Sequence, residues 1–126
     1  VRLNGKSGGI RFGDYRIEWS IRGGKAPRVS RRRAGEEWFD GDKVGDVIQL
    51  RTRRPGDRFQ PLGMPKRCKL QDLLTNARIA RPRRDQLVVA ANSADTIWWV
   101  DGLRIGEACK VGRLTRRFLR WKWLLK

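Results

Sequence analysis

The chain has 126 residues and no histidine, and its 30 Lys and Arg against 13 Asp and Glu give a net charge of +17. This length suits a single domain with one core, and a hydrophobic fraction of 39% with six Trp favours a folded chain over a disordered one. The lack of histidine excludes Ser-His and Cys-His nucleophile pairs and every metal site that includes histidine.

The first predicted element is a β-hairpin. Apolar and polar side chains alternate over residues 10–21 around Gly13-Asp14, a dipeptide that suits a two-residue hairpin turn. The stretch from Gly23 to Gly35 then carries five cations and no acid, which is typical of a loop or a mobile basic arm. Alternation resumes over residues 47–53 and predicts a strand there.

The middle of the chain changes from turns to helix. Pro55-Gly56-Asp57 is a turn sequence, and the prolines and glycines up to Pro65 predict a long ordered loop after it. Leucines then recur with helical spacing and predict a helix over residues 69–78. Pro82 suits the first position of a second short helix that runs to Asp85.

The last third of the chain returns to strands. Residues 87–91 and 96–100 are short apolar runs joined by a polar turn, which predicts a second hairpin. After a turn at Asp101-Gly102, large apolar side chains alternate with cations over residues 119–125 and predict a C-terminal strand. About six strands and one or two short helices, which do not alternate along the chain, indicate an α+β domain.

Composition excludes several classes of site. The two cysteines, Cys68 and Cys109, are expected as reduced thiols, and they fall two soft ligands short of a zinc site. The carboxylates lie beside cations or turn glycines, where ion pairs and turn hydrogen bonds account for them. We therefore expect neither a metal nor catalysis by this chain alone.

Location follows from what the chain lacks. No apolar run approaches the roughly 20 residues of a membrane helix, and no secretory signal opens the chain. These observations favour a cytoplasmic protein. The first residue is Val rather than Met, which fits a piece of a longer protein.

The positive charge is concentrated in two stretches. Eleven cations against two acids lie between Arg51 and Arg84, and seven cations with no acid lie between Ala108 and Lys126. Clustered Arg and Lys are typical of a surface that binds phosphates, so nucleic acid comes first among partners. The alternative is a solvated basic surface without a ligand.

The six tryptophans bear on how RNA would be recognised. Trp99, Trp121 and Trp123 alternate among aliphatic strand residues and are expected to point inward, whereas Trp38 and Trp98 are better placed for exposure. So few aromatic side chains for base stacking favour recognition of the shape and backbone of a structured RNA.

A long irregular segment carries a family resemblance. Residues 50–64, with Arg53-Arg54-Pro55-Gly56-Asp57-Arg58-Phe59 at their centre and residues 69–73 after them, strongly resemble the C-terminal domain of tRNA(Ile)-lysidine synthetase. Further motifs extend the resemblance, in the same order as in that family, from about Glu36 to Val111. They are Phe39–Lys43, Ile97–Ile105 and Lys110-Val111.

The resemblance implies a fold and a division of labour. The family's domain is a β-rich α+β module similar to one in the phenylalanyl-tRNA synthetase beta chain. The whole enzyme adenylates the wobble cytidine of an isoleucine tRNA with ATP and ligates lysine to it, in an ATP pyrophosphatase domain that precedes the matched region. Residues 1–35 are then the hairpin and basic arm that end the preceding region, and residues 36–126 the C-terminal-like domain.

This division implies a binding role for the present chain. It would hold the acceptor-stem side of the isoleucine tRNA while the catalytic domain uses ATP and lysine, so no cofactor is expected here. The residues expected to contact RNA are Arg53, Arg54, Arg58, Lys66, Arg67, Lys69, Arg81, Arg83, Arg84, Arg104 and Lys110. Those expected to shape the motif are Gly56, Asp57, Phe59, Gly63, Asp72 and Gly102.

Two other interpretations stay open. The alternative is a noncatalytic scaffold between domains or between two subunits, with incidental charge, and it adds the catalytic domain of the same protein and a homodimer to the partners. Attachment to an anionic membrane ranks last, because we find no basic amphipathic helix in the sequence.

Overall fold

The computed structural model describes residues 7–24, 35–103 and 106–125, and within these ranges the chain forms the predicted α+β arrangement. In chain order the elements are β1 (Ser7–Phe12), β2 (Tyr15–Gly23), β3 (Glu36–Asp40), α1 (Gly41–Val44), β4 (Gln49–Thr52), β5 (Arg58–Phe59), β6 (Cys68–Lys69), α2 (Leu70–Asn76), α3 (Arg81–Arg84), β7 (Val88–Ala91), β8 (Ile97–Val100) and β9 (Arg117–Leu125).

The predicted number of elements is too low. Nine strands lie in the described ranges, against about six predicted, and the four-residue helix α1 was not predicted. β5 and β6 have two residues each, which is too short to show an alternating pattern. Elements of this length depend on the partners that tertiary structure brings to them rather than on local preference.

The chain divides into two compact units. Unit 1 comprises Val1–Val47 with Cys109–Lys126, and unit 2 comprises Ile48–Ala108. The division drawn from the sequence, between residues 35 and 36, therefore falls inside unit 1. The predicted basic arm falls mostly on residues 25–34, which lie outside the described residues.

Unit 1 is built on an antiparallel sheet in the order β1-β2-β9-β3. The first predicted hairpin is confirmed, since Gly13-Asp14 joins β1 to β2 and Gly13 takes the left-handed φ of 57° that such turns require. The predicted C-terminal strand is confirmed as β9, which lies between β2 and β3. One face of the sheet is buried and carries Tyr15, Ile17, Trp19, Phe39, Leu119 and Trp121.

A buried carboxylate fixes the junction between β3 and α1. Asp40 caps the helix by accepting hydrogen bonds from the backbone N–H groups of Asp42 and Lys43 at 2.9 and 3.2 Å. Its second carboxylate oxygen accepts from Thr115 Oγ1 at 2.8 Å, and its backbone N–H donates to the carbonyl of Cys109 at 2.9 Å. This motif of the family resemblance is therefore a helix cap that ties together the two chain segments of unit 1.

Unit 2 contains the antiparallel sheet β4-β7-β8 and the two-stranded ribbon β5-β6. The second predicted hairpin is confirmed as β7 and β8, with a bulge between Ala90 and Ala91. All eight residues of these two strands are buried. α2 packs its leucines into a hydrophobic core formed by Phe59, Leu70, Leu74, Leu87, Val89, Ala91, Ile97 and Val100.

The helix predicted over residues 69–78 is confirmed as α2 but is shorter. It ends at Asn76 because Arg78 adopts a φ of 57° and the N–H groups of Arg78 and Ile79 donate to the carbonyls of Thr75 and Leu74, at 3.0 and 3.1 Å. This is a Schellman cap with arginine in the position that glycine usually takes. The second predicted helix is confirmed as α3, with its proline in the first turn.

One prediction about the tryptophans is wrong. Trp98 is fully buried rather than exposed, because its strand β8 is buried on both faces. Trp99 and Trp121 are buried as predicted, and Trp38 and Trp123 are half-buried. All six tryptophans lie among the described residues and none is exposed, so base stacking on a free indole ring has no candidate here.

Candidate nucleic-acid interface

The conserved-looking turn of the family resemblance is built around a buried ion pair. The N–H of Asp57 donates to the carbonyl of Arg54 at 3.1 Å, and Gly56 supplies the left-handed φ of 85° that closes the turn. The Asp57 carboxylate accepts two hydrogen bonds from Arg51, at 2.8 and 3.0 Å, and one from the Arg54 N–H at 2.7 Å. The turn is thus braced from inside by Arg51.

Burial and pairing set the charges of this pair. Burial by itself raises the pKa of Asp57, but hydrogen bonds from Arg51 and from the Arg54 N–H, with the charges of both arginines, hold it below its ordinary 3.8. The hydrogen bond to Asp57 raises the pKa of Arg51. Arg51 also donates to Thr52 O at 3.1 Å and to Asp95 at 3.4 Å. Although it belongs to the basic stretch read as a phosphate footprint, Arg51 is buried and structural.

Directly after this turn, the ribbon carries outward-facing cations. β5 and β6 pair Arg58 with Lys69 and Phe59 with Cys68. Phe59 is fully buried in the core, so the alternation of the strand directs Arg58 and its partner Lys69 outward, where both are exposed. Two like charges directly opposite each other repel.

The loop that joins the two ribbon strands adds two more cations. A turn closed by Met64 N–H to Pro61 O, 3.0 Å, and a hydrogen bond of 2.7 Å from Gln60 Nε2 to Met64 O hold its first half. Its second half presents Lys66 and Arg67, both exposed. We call Arg58, Lys66, Arg67 and Lys69 the ribbon cations. None of them forms an ion pair with any residue in the described ranges.

A small polar depression of about 190 Å³ lies beside the ribbon. Besides Arg58 and Arg67 it is lined by Gln60, Thr96 and Asp95. The sequence analysis did not select Gln60 or Thr96. The signal for Gln60 was its position two residues after Arg58, on the same side of an extended segment.

Three other predicted contact residues are engaged inside the protein. Arg53 binds the Asp85 carboxylate through two nitrogens, at 2.8 and 3.2 Å. Arg84 Nε donates to the carbonyl of Ile79 at 2.6 Å. Arg83 lies 3.8 Å from the carboxylate of Asp101, while its side chain is half exposed. These arginines therefore have structural partners, unlike the ribbon cations.

The remaining predicted residues are dispersed. Arg54 and Arg81 are exposed in unit 2, Lys110 is half-buried in unit 1, and Arg104 lies outside the described residues. Among the predicted motif residues, Gly63 and Gly102 take positive φ values of 84° and 86°. Phe59 is buried, and Asp72 lies exposed in the first turn of α2, where the helix dipole favours a carboxylate.

The thiols and carboxylates give no sign of catalytic chemistry. Cys68 and Cys109 are both free thiols. Burial, with the nearby charge of Asp40, raises the pKa of Cys109 to about 12, so this thiol stays protonated. In the part of the chain that can be described, no cluster of Cys, Asp and Glu could hold a metal ion. No helix there is long and apolar enough to cross a membrane.

Solved structures share this fold. A crystal structure of the TILS C-terminal domain matches with a TM-score of 0.71 and 27% identity, over 89% of this chain and 85% of that one. An N-terminal fragment of the phenylalanyl-tRNA synthetase beta-subunit from Pyrococcus horikoshii matches in fold alone, with a TM-score of 0.65 and 16% identity, over 91% of this chain and 40% of that one. The class is therefore a basic, strand-rich α+β domain shared by proteins of tRNA metabolism.

Sequence comparison gives the family. The model of the TilS substrate C-terminal domain matches residues 48–123, more than half of the chain. The tRNA(Ile)-lysidine synthase of Clostridium acetobutylicum is 36% identical over 86 residues, which cover 68% of this chain and 18% of that protein. That of Dehalococcoides mccartyi is 40% identical over 88 residues, which cover 70% and 18%. The chain belongs to the TilS C-terminal domain family, which confirms the resemblance, and spans about a fifth of the length of these relatives.

Proposed function

We propose that this domain binds tRNA, and that the ribbon cations of unit 2 contact its phosphate backbone. The supporting observation is the arrangement of the ribbon. Arg58 and Lys69 lie directly opposite each other, both exposed, and neither has an acidic partner among the described residues. An RNA phosphate beside such a pair offsets its mutual repulsion and gains two charge-assisted hydrogen bonds.

The ribbon is held rigidly, which favours binding. Phe59 anchors one strand in the core, and the buried pair of Arg51 and Asp57 braces the turn before it. A preorganised site loses less conformational entropy when it binds. The absence of an exposed indole among the six tryptophans also favours contact with phosphates and sugars over base stacking.

The wider proposal concerns the role of the domain in a larger enzyme. The relatives are tRNA(Ile)-lysidine synthases, and this chain aligns with about a fifth of each. We propose that it holds the acceptor-stem side of an isoleucine tRNA in the cytoplasm. A separate domain of the same protein would use ATP to adenylate the wobble cytidine and would ligate lysine. In this scheme the chain itself needs no cofactor and performs no catalysis.

A binding experiment tests the role of the ribbon. The chain and its Arg58→Gln/Lys69→Gln variant are titrated, by fluorescence anisotropy at several salt concentrations, with a labelled acceptor-stem duplex of isoleucine tRNA. We expect the variant to bind at least about tenfold more weakly and its salt slope to fall by about 1.4, because each lost phosphate contact removes about 0.7 or more. The control is Arg113→Gln/Arg116→Gln, which removes two exposed cations of unit 1.

The competing interpretations predict different results. Equal losses for the two double variants would show that only total charge matters, which contradicts a specific ribbon site. No binding by the wild-type chain would favour the interdomain or dimerisation scaffold. An anticodon-stem duplex of the same tRNA tests the finer proposal, since equal affinity for both duplexes would contradict selection of the acceptor-stem side.

A further inference from the structure

The exposed face of the sheet in unit 1 carries a second group of cations. The register places Arg11 of β1 opposite Arg16 of β2, and Glu18 of β2 opposite Lys122 of β9. Paired residues of an antiparallel sheet point to the same side, and residues two apart along a strand share a face. These four side chains therefore lie together on the face opposite the buried one, and all four are exposed.

The like-charged pair on this face is only weakly compensated. Arg11 and Arg16 stand directly opposite each other, as Arg58 and Lys69 do in unit 2. Glu18 lies 3.6 Å from Arg16, but both side chains are more than half exposed, so water screens the contact. Arg11 has no ion pair with any residue in the described ranges.

The second acid of the face is already committed. Glu36 accepts two hydrogen bonds from Arg120, at 2.7 and 3.1 Å. Its neighbour across the strands, Lys122, has no ion pair within the described part of the chain. Four cations thus face two acids, a surplus of two positive charges, and the surplus lies toward Arg11 and Lys122.

The edge of the sheet leaves room above these cations. Ser7, Gly8 and Gly9 line an open groove of about 630 Å³ together with the cations of the face. A methyl group at Gly9 would lie 3.5 Å from the Ile17 carbonyl oxygen, in ordinary van der Waals contact. A methyl group at Gly8 would approach the Trp19 ring to 2.7 Å. Packing thus requires glycine at position 8 but not at position 9, where the groove stays open to a ligand.

We propose that this face is a second phosphate-binding surface, which contacts the sugar–phosphate backbone of the bound RNA through Arg11, Arg16 and Lys122. The cations lie on three neighbouring strands, which are about 4.8 Å apart, so they span about 10 Å. An open groove with charges spread over this distance fits an extended polyanion better than a single small anion. The surface shares no residue with the ribbon, and it rests on the proposed function only in taking RNA as the ligand.

Two pairs of variants test the surface in the full chain. Arg11→Gln/Arg16→Gln removes the facing charges, and folding should not suffer because their contact is repulsive. Gly9→Glu adds a carboxylate to the groove, and Gly9→Gln adds a neutral side chain of the same size. With an isoleucine tRNA transcript as the probe, we expect affinity to fall about fivefold or more for the arginine variant and for Gly9→Glu. Gly9→Gln should stay within twofold of the wild type.

The same titration includes the ribbon variant and the Arg113→Gln/Arg116→Gln control. Loss of affinity in the ribbon variant alone would overturn the second surface and leave the proposed function standing. Unchanged affinity in both the ribbon and the sheet variants would contradict the proposed function. Equal effects of Gly9→Glu and Gly9→Gln would assign the loss to shape rather than charge, and would overturn the phosphate site.

Vesicles of phosphatidylserine serve as the second probe. If the sheet variants lose vesicle binding but keep the affinity of the wild type for tRNA, the face binds anionic lipid and the inference is wrong. Circular dichroism melting of each variant shows whether it is folded. Should the arginine variant melt early, the Gly9 pair still decides the question, because its two members differ only in charge.

Discussion

The two units use charged residues in different ways. In unit 1 long strands place charges on an exposed sheet face, where Glu36 pairs with Arg120 at the protein surface. In unit 2 Arg51 is buried with Asp57 under a tight turn, while the cations of the ribbon next to it lack acidic partners among the described residues. The comparison teaches that a run of arginines does not reveal which members support the fold and which remain open to a ligand.

The structural carboxylates of the two units also differ. Asp40 of unit 1 is bound by neutral donors, two backbone N–H groups and the hydroxyl of Thr115. Asp57 of unit 2 is bound mainly by the guanidinium of Arg51. A carboxylate that neutralises a buried cation has more to lose on protonation or removal than one that only caps a helix.

The largest difference between the units is expected in thiol reactivity. Cys109 of unit 1 is buried with a pKa of about 12, against an ordinary value of 9.0, so its thiolate fraction at neutral pH is about a thousandfold below that of an ordinary thiol. Cys68 of unit 2 is partly exposed. Iodoacetamide should therefore label one thiol per folded chain, with peptide mass spectrometry identifying Cys68. Fast labelling of Cys109 in the folded chain would contradict the burial of this residue.

The next largest effect should follow removal of the buried carboxylate. Asp57→Ala leaves Arg51 charged and without its main partner, and we expect a loss of about 3–5 kcal/mol in the free energy of unfolding. Asp85→Ala is the matched control, because Asp85 is largely exposed and pairs with Arg53 at the surface, and about 1 kcal/mol or less should be lost. Urea unfolding followed by tryptophan fluorescence measures both. Similar losses in the two variants would remove the contrast between buried and exposed pairs.

Acid should reveal the same pair. The pKa of Asp57 is lower in the folded state than its ordinary 3.8, so ionised Asp57 stabilises the fold at pH values above 3.8. This contribution is lost as the pH falls below 3.8 and through the folded-state pKa. In urea unfolding at a series of pH values from 7 to 2, the wild type should lose a component of stability that Asp57→Ala lacks. Parallel pH curves for the two proteins would show that Asp57 does not carry it.

A smaller effect is expected from the surface pair of unit 1. The hydrogen bond to Glu36 raises the pKa of Arg120, and the Glu36 side chain is 13% exposed against 38% for Arg120. Glu36→Gln should reduce stability by about 1 kcal/mol, since the pair is partly solvated. Glu18→Gln, whose pair with Arg16 is more than half exposed, should change almost nothing. The gap between the two variants should narrow in 1 M salt, and a gap that persists would indicate packing rather than charge.

The smallest effect should come from the ribbon itself. Arg58 faces Lys69 and has no acidic partner in the described ranges, so Arg58→Gln should change stability by no more than about 0.5 kcal/mol, in either direction. Arg51→Gln, a change of the same type in the same unit, should be strongly destabilising. Comparable losses would mean that Arg58 supports the fold, and it would no longer be a candidate for RNA contact.

The sequence predicted a good part of the fold and less of the candidate site. Both hairpins, α2, α3 and β9 were predicted, because their patterns of alternation, helical spacing or turn residues are local. β5 and β6 were missed, since two residues show no period. Trp98 was expected outside, because a strand buried on both faces looks the same in sequence as one with an exposed aromatic face.

For the candidate site, the sequence predicted the residue types but not their roles. Arg53, Arg58 and Arg84 were selected together as contact residues, yet Arg53 binds Asp85 and Arg84 donates to a backbone carbonyl. Only Arg58 of the three is exposed and lacks an ion pair within the described ranges. The acceptors that engage the other two come from segments distant in the chain or from the backbone, which no charge pattern can show.

By itself, the sequence determined the positive charge, the α+β class and, through one long irregular segment, the family. Each of these depends on composition or on the local order of residues. Tertiary structure alone decided which cations have acidic partners, because ion pairing requires folded side chains to come within about 4 Å. It placed Arg51 inside beside Asp57 and left Arg58 outside beside Lys69, although the two arginines lie seven residues apart in one basic stretch.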